Sequence, residues 1–359
     1  MIGTLTFQNT INFGAMLQTY ALQKKINDLG YECEVINYVC PMVVKNEKPL
    51  RLKDIDSLRK LLYYIFTNRY KKNQNIKFDQ FYKDYVPSSA EYYTRDNIAL
   101  INNIYDKIIV GSDQVWNLDL SGHDYTFFLD FINDNSKKHS YAASFGYDQL
   151  HDDIDKQYEL LKSFKSLNVR EDTGKHIIEN QLGLNANTVC DPTLLLNKHE
   201  WESLIPSSDN KRNPYILVYL LNRNTENFNM IKQYAEKNHL EIIQLHNYLK
   251  SEYGTKSIRS ASPLDFLQLV RDSEIVITGS FHALCFSMIF NKNFYYTRAN
   301  HNRNSRVDDL MNIFKTTNRE LSFDNMIKSN RIDFDEVNTI LENMRHESIS
   351  ILLNTVLKG

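Results

Sequence analysis

The stretch that most constrains this chain runs from Glu274 to Phe290, EIVITGSFHALCFSMIF. Ile275-Val276-Ile277-Thr278 is a β-branched run with the composition and length of a buried strand. It stops at Gly279-Ser280, and a helical pattern follows from His282, with Leu284, Met288 and Ile289 sharing one face. Strand, tight turn and helix make up the unit with which α/β proteins hold anions, because the unpaired N–H groups of the first helical turn point at the loop. Ser280, Phe281 and His282 then fall at the carboxyl end of a strand, where open α/β sheets place ligands. By spacing alone, His282 can equally cap the helix or pack in the core.

With 359 residues the chain is long for one core, and at roughly 150 residues per domain it predicts two. A hydrophobic content of 42% and a charged content of 24% are those of an ordinary globular protein. The formal net charge of −2 gives no global reason to expect a nucleic-acid partner. Cys33, Cys40, Cys190 and Cys285 are scattered without a C-x-x-C pair, which argues against structural zinc and for a reducing setting. There is no apolar run of roughly 18 residues and no signal pattern, so the expected location is the cytoplasm, including the inner face of the membrane.

The first half opens as a βαβ unit. Ile2 to Phe7 alternates as a strand, a polar loop containing Asn9 follows, and Gly14 begins a helix that Gly30 ends before the strand YECEVINY. Gly14 allows close approach to the helix start. With no G-x-G-x-x-G and no acidic residue closing the second strand, a nicotinamide or flavin enzyme is disfavoured. Residues 41–103 look like a mostly helical insertion rich in Lys, Tyr and Asn, and its segment Arg59 to Lys77 is basic and aromatic enough to rest on lipid headgroups. Asp106 to Val110 is a buried strand that breaks at Gly111-Ser112-Asp113-Gln114-Val115-Trp116-Asn117. Asp113 and Asn117 beside Trp116 suit a sugar, which offers hydroxyls to polar groups and a C–H face to an indole. The same residues also suit a capped turn beside a core Trp. Further strands are expected at Lys138–Phe145, Leu167–Arg170 and Thr188–Asp191, and Arg170 stands at a strand's carboxyl end.

A second α/β series starts at Pro214, with strands expected at Tyr215–Leu221, Leu240–Leu245 and Asn293–Arg298 around the organising stretch, and a helix opening at Ser305-Arg306. The architecture expected is two Rossmann-like doubly wound domains, residues 1–200 and 210–332, with a cleft between their strand ends. The helical tail 333–359 can cross back to the first domain.

Taken in order, LTFQNTINFGAMLQTYALQ, IIVGSDQVWN, SYAASFG, LNVREDTG, CDPTLLL, VITGSFHALCFSMIF and NSRVDDL resemble the polysaccharide pyruvyl transferase family over nearly the full length. GSDQVWN and SFHALCFS are the most specific pieces. Ala283 stands where the family often has Gly, Asn293 where Pro is usual, and the NTINFGA loop is slightly altered; none of these removes a chemical group. The resemblance implies a GT-B-like fold and transfer of pyruvate from phosphoenolpyruvate to two hydroxyls of a sugar as a cyclic ketal, usually on capsule, cell-wall or exopolysaccharide precursors. It implies an acceptor on the side of the first domain and a donor on that of the second.

The chemistry can be matched to residues independently. A donor with a carboxylate and a phosphate needs cations and N–H donors: Arg170 and Arg306 offer the first, the Ser280-Phe281 turn the second. Protonating the enol carbon needs a general acid, for which His282 is the candidate, while Asp113 can orient or deprotonate an acceptor hydroxyl. Asn9, Gly14, Trp116 and Asn117 are the candidate acceptor contacts. No metal or other cofactor is called for. The acceptor is expected to be a saccharide precursor, with a polyprenyl-diphosphate carrier in keeping with the basic helix. Two other classes compete: a GT-B glycosyltransferase that uses a nucleotide sugar, and a non-catalytic saccharide-binding assembly protein.

Overall fold

The computed structural model describes residues 1–47, 53, 55–207, 213–220, 225–246, 252, 254–298, 305–328 and 331–359. Residues 48–52 and 54 of the expected insertion, Leu221 of an expected strand and Asn304 of the last motif lie outside them. The chain divides into two compact units: residues 1–47, 83–196 and 340–359 in one, 48–82 and 197–339 in the other.

In the first unit, β1 (Ile2–Leu5), β2 (Cys33–Tyr38), β3 (Ser88–Tyr93), β4 (Lys107–Val110) and β5 (Lys138–Ser140) form a parallel sheet ordered β3-β2-β1-β4-β5. The run Ile108-Ile109-Val110 is fully buried, as a central parallel strand covered on both faces should be. Helix Phe13–Asp28 connects β1 to β2. Asn12 caps it by accepting hydrogen bonds from the N–H groups of Gly14 and Ala15 at 2.9 and 3.2 Å. A short parallel pair, β6 (Asn168–Val169) and β7 (Asn187–Thr188), continues this sheet sideways through the bridges Asp113–Ala143 and Ala143–Val169.

The second unit repeats the pattern. β8 (Tyr215–Tyr219), β9 (Glu241–Leu245), β10 (Lys256–Ile258), β11 (Ile275–Thr278) and β12 (Asn293–Tyr296) form a parallel sheet ordered β10-β9-β8-β11-β12. Helix Pro263–Asp272 delivers the chain to β11 and starts with Ser262 in a reciprocal capping box with Asp265 and Pro263 in its first turn. Numbered within its own unit, each sheet has the order 3-2-1-4-5. That is the Rossmann-like order, whose direction reverses between the first and fourth strands.

Three differences from the sequence reading have local causes. The segment 41–103 is helical only in part: helix Leu58–Tyr85 is followed by the edge strand β3, whose central Ala90, Glu91 and Tyr92 are exposed, so no buried alternation marks it. Strand β10 is hidden in the sequence for the same reason, two of its three residues being exposed. The strand expected over Lys138–Phe145 keeps ladder pairing only to Ser140, because Ala142 takes a positive φ of 52°. The C-terminal helix Phe334–Ile351 does return to the first unit. Arg345 Nε donates to the Leu194 carbonyl at 3.0 Å, and Ser348 Oγ accepts from the Cys190 N–H at 2.9 Å. All four cysteines are buried, and none is in a disulfide.

Candidate active site

In the second unit the expected turn forms. β11 ends at Thr278, whose hydroxyl donates to the Tyr219 carbonyl at 2.7 Å and accepts from the Ser280 N–H at 3.0 Å. This pair fixes the turn to the neighbouring strand β8, at the position where the strand order reverses. Gly279 packs closely here: a Cβ would stand 2.9 Å from Thr297 Oγ1 and 3.3 Å from the Thr297 carbonyl oxygen, so a larger residue would displace the Thr297 side chain. Ser280 caps helix Phe281–Ile289, its Oγ facing the Ala283 N–H at 3.5 Å. Phe281 and His282 thus lie in the first helical turn, their rings edge to face with centroids 5.3 Å apart. His282 is buried, Ser280 and Phe281 half-buried. Arg306 is half-buried in the first turn of helix Ser305–Ile313 of the same unit.

In the first unit the equivalent position, after β4, is held by Gly111-Ser112-Asp113. Gly111 has φ +127°, and a Cβ there would lie 2.1 Å from the Tyr141 carbonyl oxygen, so no other residue fits. The loop is pinned from both sides. Thr6 Oγ1, just past β1, donates to the Ser112 carbonyl at 2.8 Å, and the Ser112 N–H donates to Gln18 Oε1 at 3.1 Å. Asp113 itself has φ +76° and is bridged to Ala143, which is bridged in turn to Val169. Three strand ends therefore bring Asp113, Ser144 and Arg170 side by side.

Arg170 sits at the centre of this constellation. Its guanidinium lies 3.1 Å from Asp191, 3.2 Å from Glu171 and 3.9 Å from Asp113, with only 2% of the side chain exposed. Burial alone works against a charged guanidinium. Glu171, Asp191 and Asp113 outweigh it and hold its pKa above the ordinary arginine value. Ser112 Oγ donates to Asp191 at 3.2 Å, and Ser144 Oγ donates to Glu171. One cation among three carboxylates leaves a formal charge of −2, so Arg170 organises an acidic group and does not present a cation to a phosphate. The donor-binding role expected for it does not fit this environment. Asp113, at 14% side-chain exposure, is the most accessible of the three carboxylates.

The remaining expected acceptor contacts are each engaged within the fold. Trp116 is fully buried among Phe128, Phe145 and Phe164, with Nε1 donating to the Phe127 carbonyl at 2.9 Å. Its indole has no face to offer a sugar, contrary to the stacking expected from sequence. Asn117 caps the short helix Leu118–Ser121, its Oδ1 accepting from the Leu120 N–H at 3.2 Å. Asn9 Nδ2 donates to the Tyr38 carbonyl at 2.9 Å, and the buried Gly14 gives its N–H to Asn12. No sequence pattern singles out Glu171 and Asp191 as site residues. Asp191 before Pro192 signals a helix cap, which it is through Oδ1, while Oδ2 turns to Arg170. Among the described residues, Asp119, His123 and Asp152 bring potential ligand atoms within 4.8 Å of one another. Asp119 and His123 are exposed, and none of the three belongs to either strand-end constellation.

The fold and these two turns define an α/β protein with polar and titratable groups at the reversal point of each of two Rossmann-like sheets. The family model for polysaccharide pyruvyl transferase matches residues 12–301, and the chain belongs to that family of transferases. No curated protein sequence matches it. Among solved structures it is similar to a UDP-GlcNAc 2-epimerase from Neisseria meningitidis bound to UDP-GlcNAc. There the identity is 14% over 100% of this chain and 99% of that one, with a TM-score of 0.48. A UDP-GlcNAc 2-epimerase from Methanocaldococcus jannaschii, in complex with UDP-GlcNAc and UDP, gives 13% identity over 96% and 92% of the two chains, with a TM-score of 0.46. The spinosyn forosaminyltransferase SpnP gives 10% over 97% and 94%, with a TM-score of 0.40. Likenesses of this degree carry nothing to the substrate, and the Rossmann-like assignment rests on the two strand orders. Among the described residues, no helix is long and apolar enough to cross a membrane.

Proposed function

We propose that the chain transfers the pyruvyl group of phosphoenolpyruvate to two hydroxyls of a sugar in a polysaccharide precursor, forming a cyclic ketal and releasing phosphate. The observation that carries this reading is a histidine in the first turn of the helix after β11, in a chain of the pyruvyl transferase family. His282 delivers a proton to the methylene carbon of the enol, and the carbon–carbon double bond supplies the electron pair. The cationic centre left at the adjoining carbon is attacked by one sugar hydroxyl, which loses its proton. Phosphate then departs with the electrons of its carbon–oxygen bond, and the second hydroxyl closes the ring as its proton passes to the departing phosphate. The N–H groups of the Ser280-Phe281 turn and the Arg306 guanidinium bind the donor's anionic groups. Asp113 orients or deprotonates the acceptor hydroxyl. Arg170 is a positioning residue that holds Asp113 and its neighbouring carboxylates. The scheme uses no metal and no further cofactor. A sugar on a polyprenyl-diphosphate carrier is the acceptor form we favour.

Incubation with phosphoenolpyruvate and a panel of lipid-linked or aryl galactosides and N-acetylhexosamines tests this. The product should gain one pyruvate less one water, with phosphate released in step. Nucleotide release from sugar donors, without phosphate from phosphoenolpyruvate, would replace the reading with that of a glycosyltransferase. Saccharide binding without turnover of any donor would replace it with that of an assembly protein.

A further inference from the structure

Helix Leu58–Tyr85 is built inside out. At 100° per residue, Leu58, Leu62, Ile65, Arg69, Lys72 and Ile76 fall within about 80° of arc. Thr67, Gln74, Phe78 and Phe81 lie on the opposite side and are the buried face. The outward stripe carries apolar residues where a surface helix should be polar: Leu58 is 72% exposed, Leu62 44%, Ile65 57% and Ile76 64%. Polar Thr67, Asn68 and Gln74, by contrast, are buried. The inner side is anchored within the second unit. The Arg259 guanidinium lies 4.2 Å over the Tyr70 ring, and Lys77 Nζ lies 2.8 Å from Asp265 Oδ2.

Charge indicates what covers the outer side. From Leu58 to Phe78 the sequence holds Arg59, Lys60, Arg69, Lys71, Lys72 and Lys77 and no acidic residue, in a chain whose net charge is −2. Exposed Arg69 and Lys72 stand on the apolar stripe itself, beside a groove of about 410 Å³ that Tyr64, Ile65 and Ile76 also line. Apolar side chains flanked by cations, on a helix lying along the surface, match a bilayer interface with anionic headgroups: acyl chains receive Leu and Ile while phosphates meet Arg and Lys. A protein groove would satisfy the apolar groups but would need acidic groups of its own to match Arg69 and Lys72 on the stripe.

We infer that the outer face of helix Leu58–Tyr85 seats the protein on anionic membrane surfaces. The inference is independent of the reaction proposed above. The test is co-sedimentation of the full chain with phosphatidylcholine vesicles with and without phosphatidylglycerol. Binding should need the anionic lipid and weaken as salt is added. Neutralising two cations in R69Q/K72Q should lower partitioning about 25-fold, about fivefold for each. L62S/I65S should lower it by about tenfold or more. Both pairs lie on the exposed face, so thermal unfolding should be unchanged. Failure to bind anionic vesicles, or equal binding to both vesicle types, would overturn the inference. So would a dimer in sedimentation velocity that L62S/I65S converts to monomer, since a second copy would then cover this face.

Discussion

Replacing Arg170 by Met keeps much of the side-chain volume and removes the one cation from the group formed with Asp113, Glu171 and Asp191. Side-chain exposure there is 2% for Arg170, 0% for Asp191 and 6% for Glu171, so little water is available to take the place of the guanidinium. Breaking a buried pair by removing one partner costs about 3–5 kcal/mol, most of it from the charge left behind. The upper part of that range applies here, because three carboxylates lose the same partner. Denaturation of the first unit can be followed separately in a Trp201→Phe background. Trp116 belongs to that unit and Trp201 to the other, and the sequence contains two tryptophans. A loss below about 1 kcal/mol would refute the account of Arg170 as the counter-ion of a buried acidic group.

Two other substitutions test the frame of the site. Gly111→Ala places a Cβ against the Tyr141 carbonyl oxygen at a backbone angle only glycine adopts easily, and should lower stability by about 2 kcal/mol or more in urea denaturation. Burial pushes the pKa of His139 down to about 4, with the charges of Lys107 and Lys165 adding to the effect. The folded state therefore binds fewer protons than the unfolded one between pH 6.5 and 4, and stability falls as pH falls through that window. His139→Asn should remove about 3 kcal/mol of that decline, seen as a flatter dependence of unfolding free energy on pH.

Much of this architecture is legible because parallel α/β folds write their central strands as β-branched runs. Ile108-Ile109-Val110 and Ile275-Val276-Ile277 could be placed from composition alone, as could the turns that end them. Strand β3 could not, since an exposed edge strand has no face that must be apolar. The same limit governs the site. His282 is locatable because its whole context lies within a few residues, whereas the group around Arg170 is assembled from positions 113, 171 and 191 by lateral bridges between strand ends. No local pattern announces such a meeting. Trp116 shows the converse: Asp, Trp and Asn in sequence suit both a sugar site and a packed turn, and only the surrounding Phe residues decide between them.

The central claim is that the His282 imidazole moves the proton that starts ketal formation. It is tested most directly by comparing wild type with His282→Asn, after confirming equal thermal unfolding, for phosphate release and acceptor mass in the presence of phosphoenolpyruvate. The account predicts a loss of about 10²–10⁴-fold in turnover while donor binding is largely retained. Turnover by His282→Asn at the wild-type rate would contradict it.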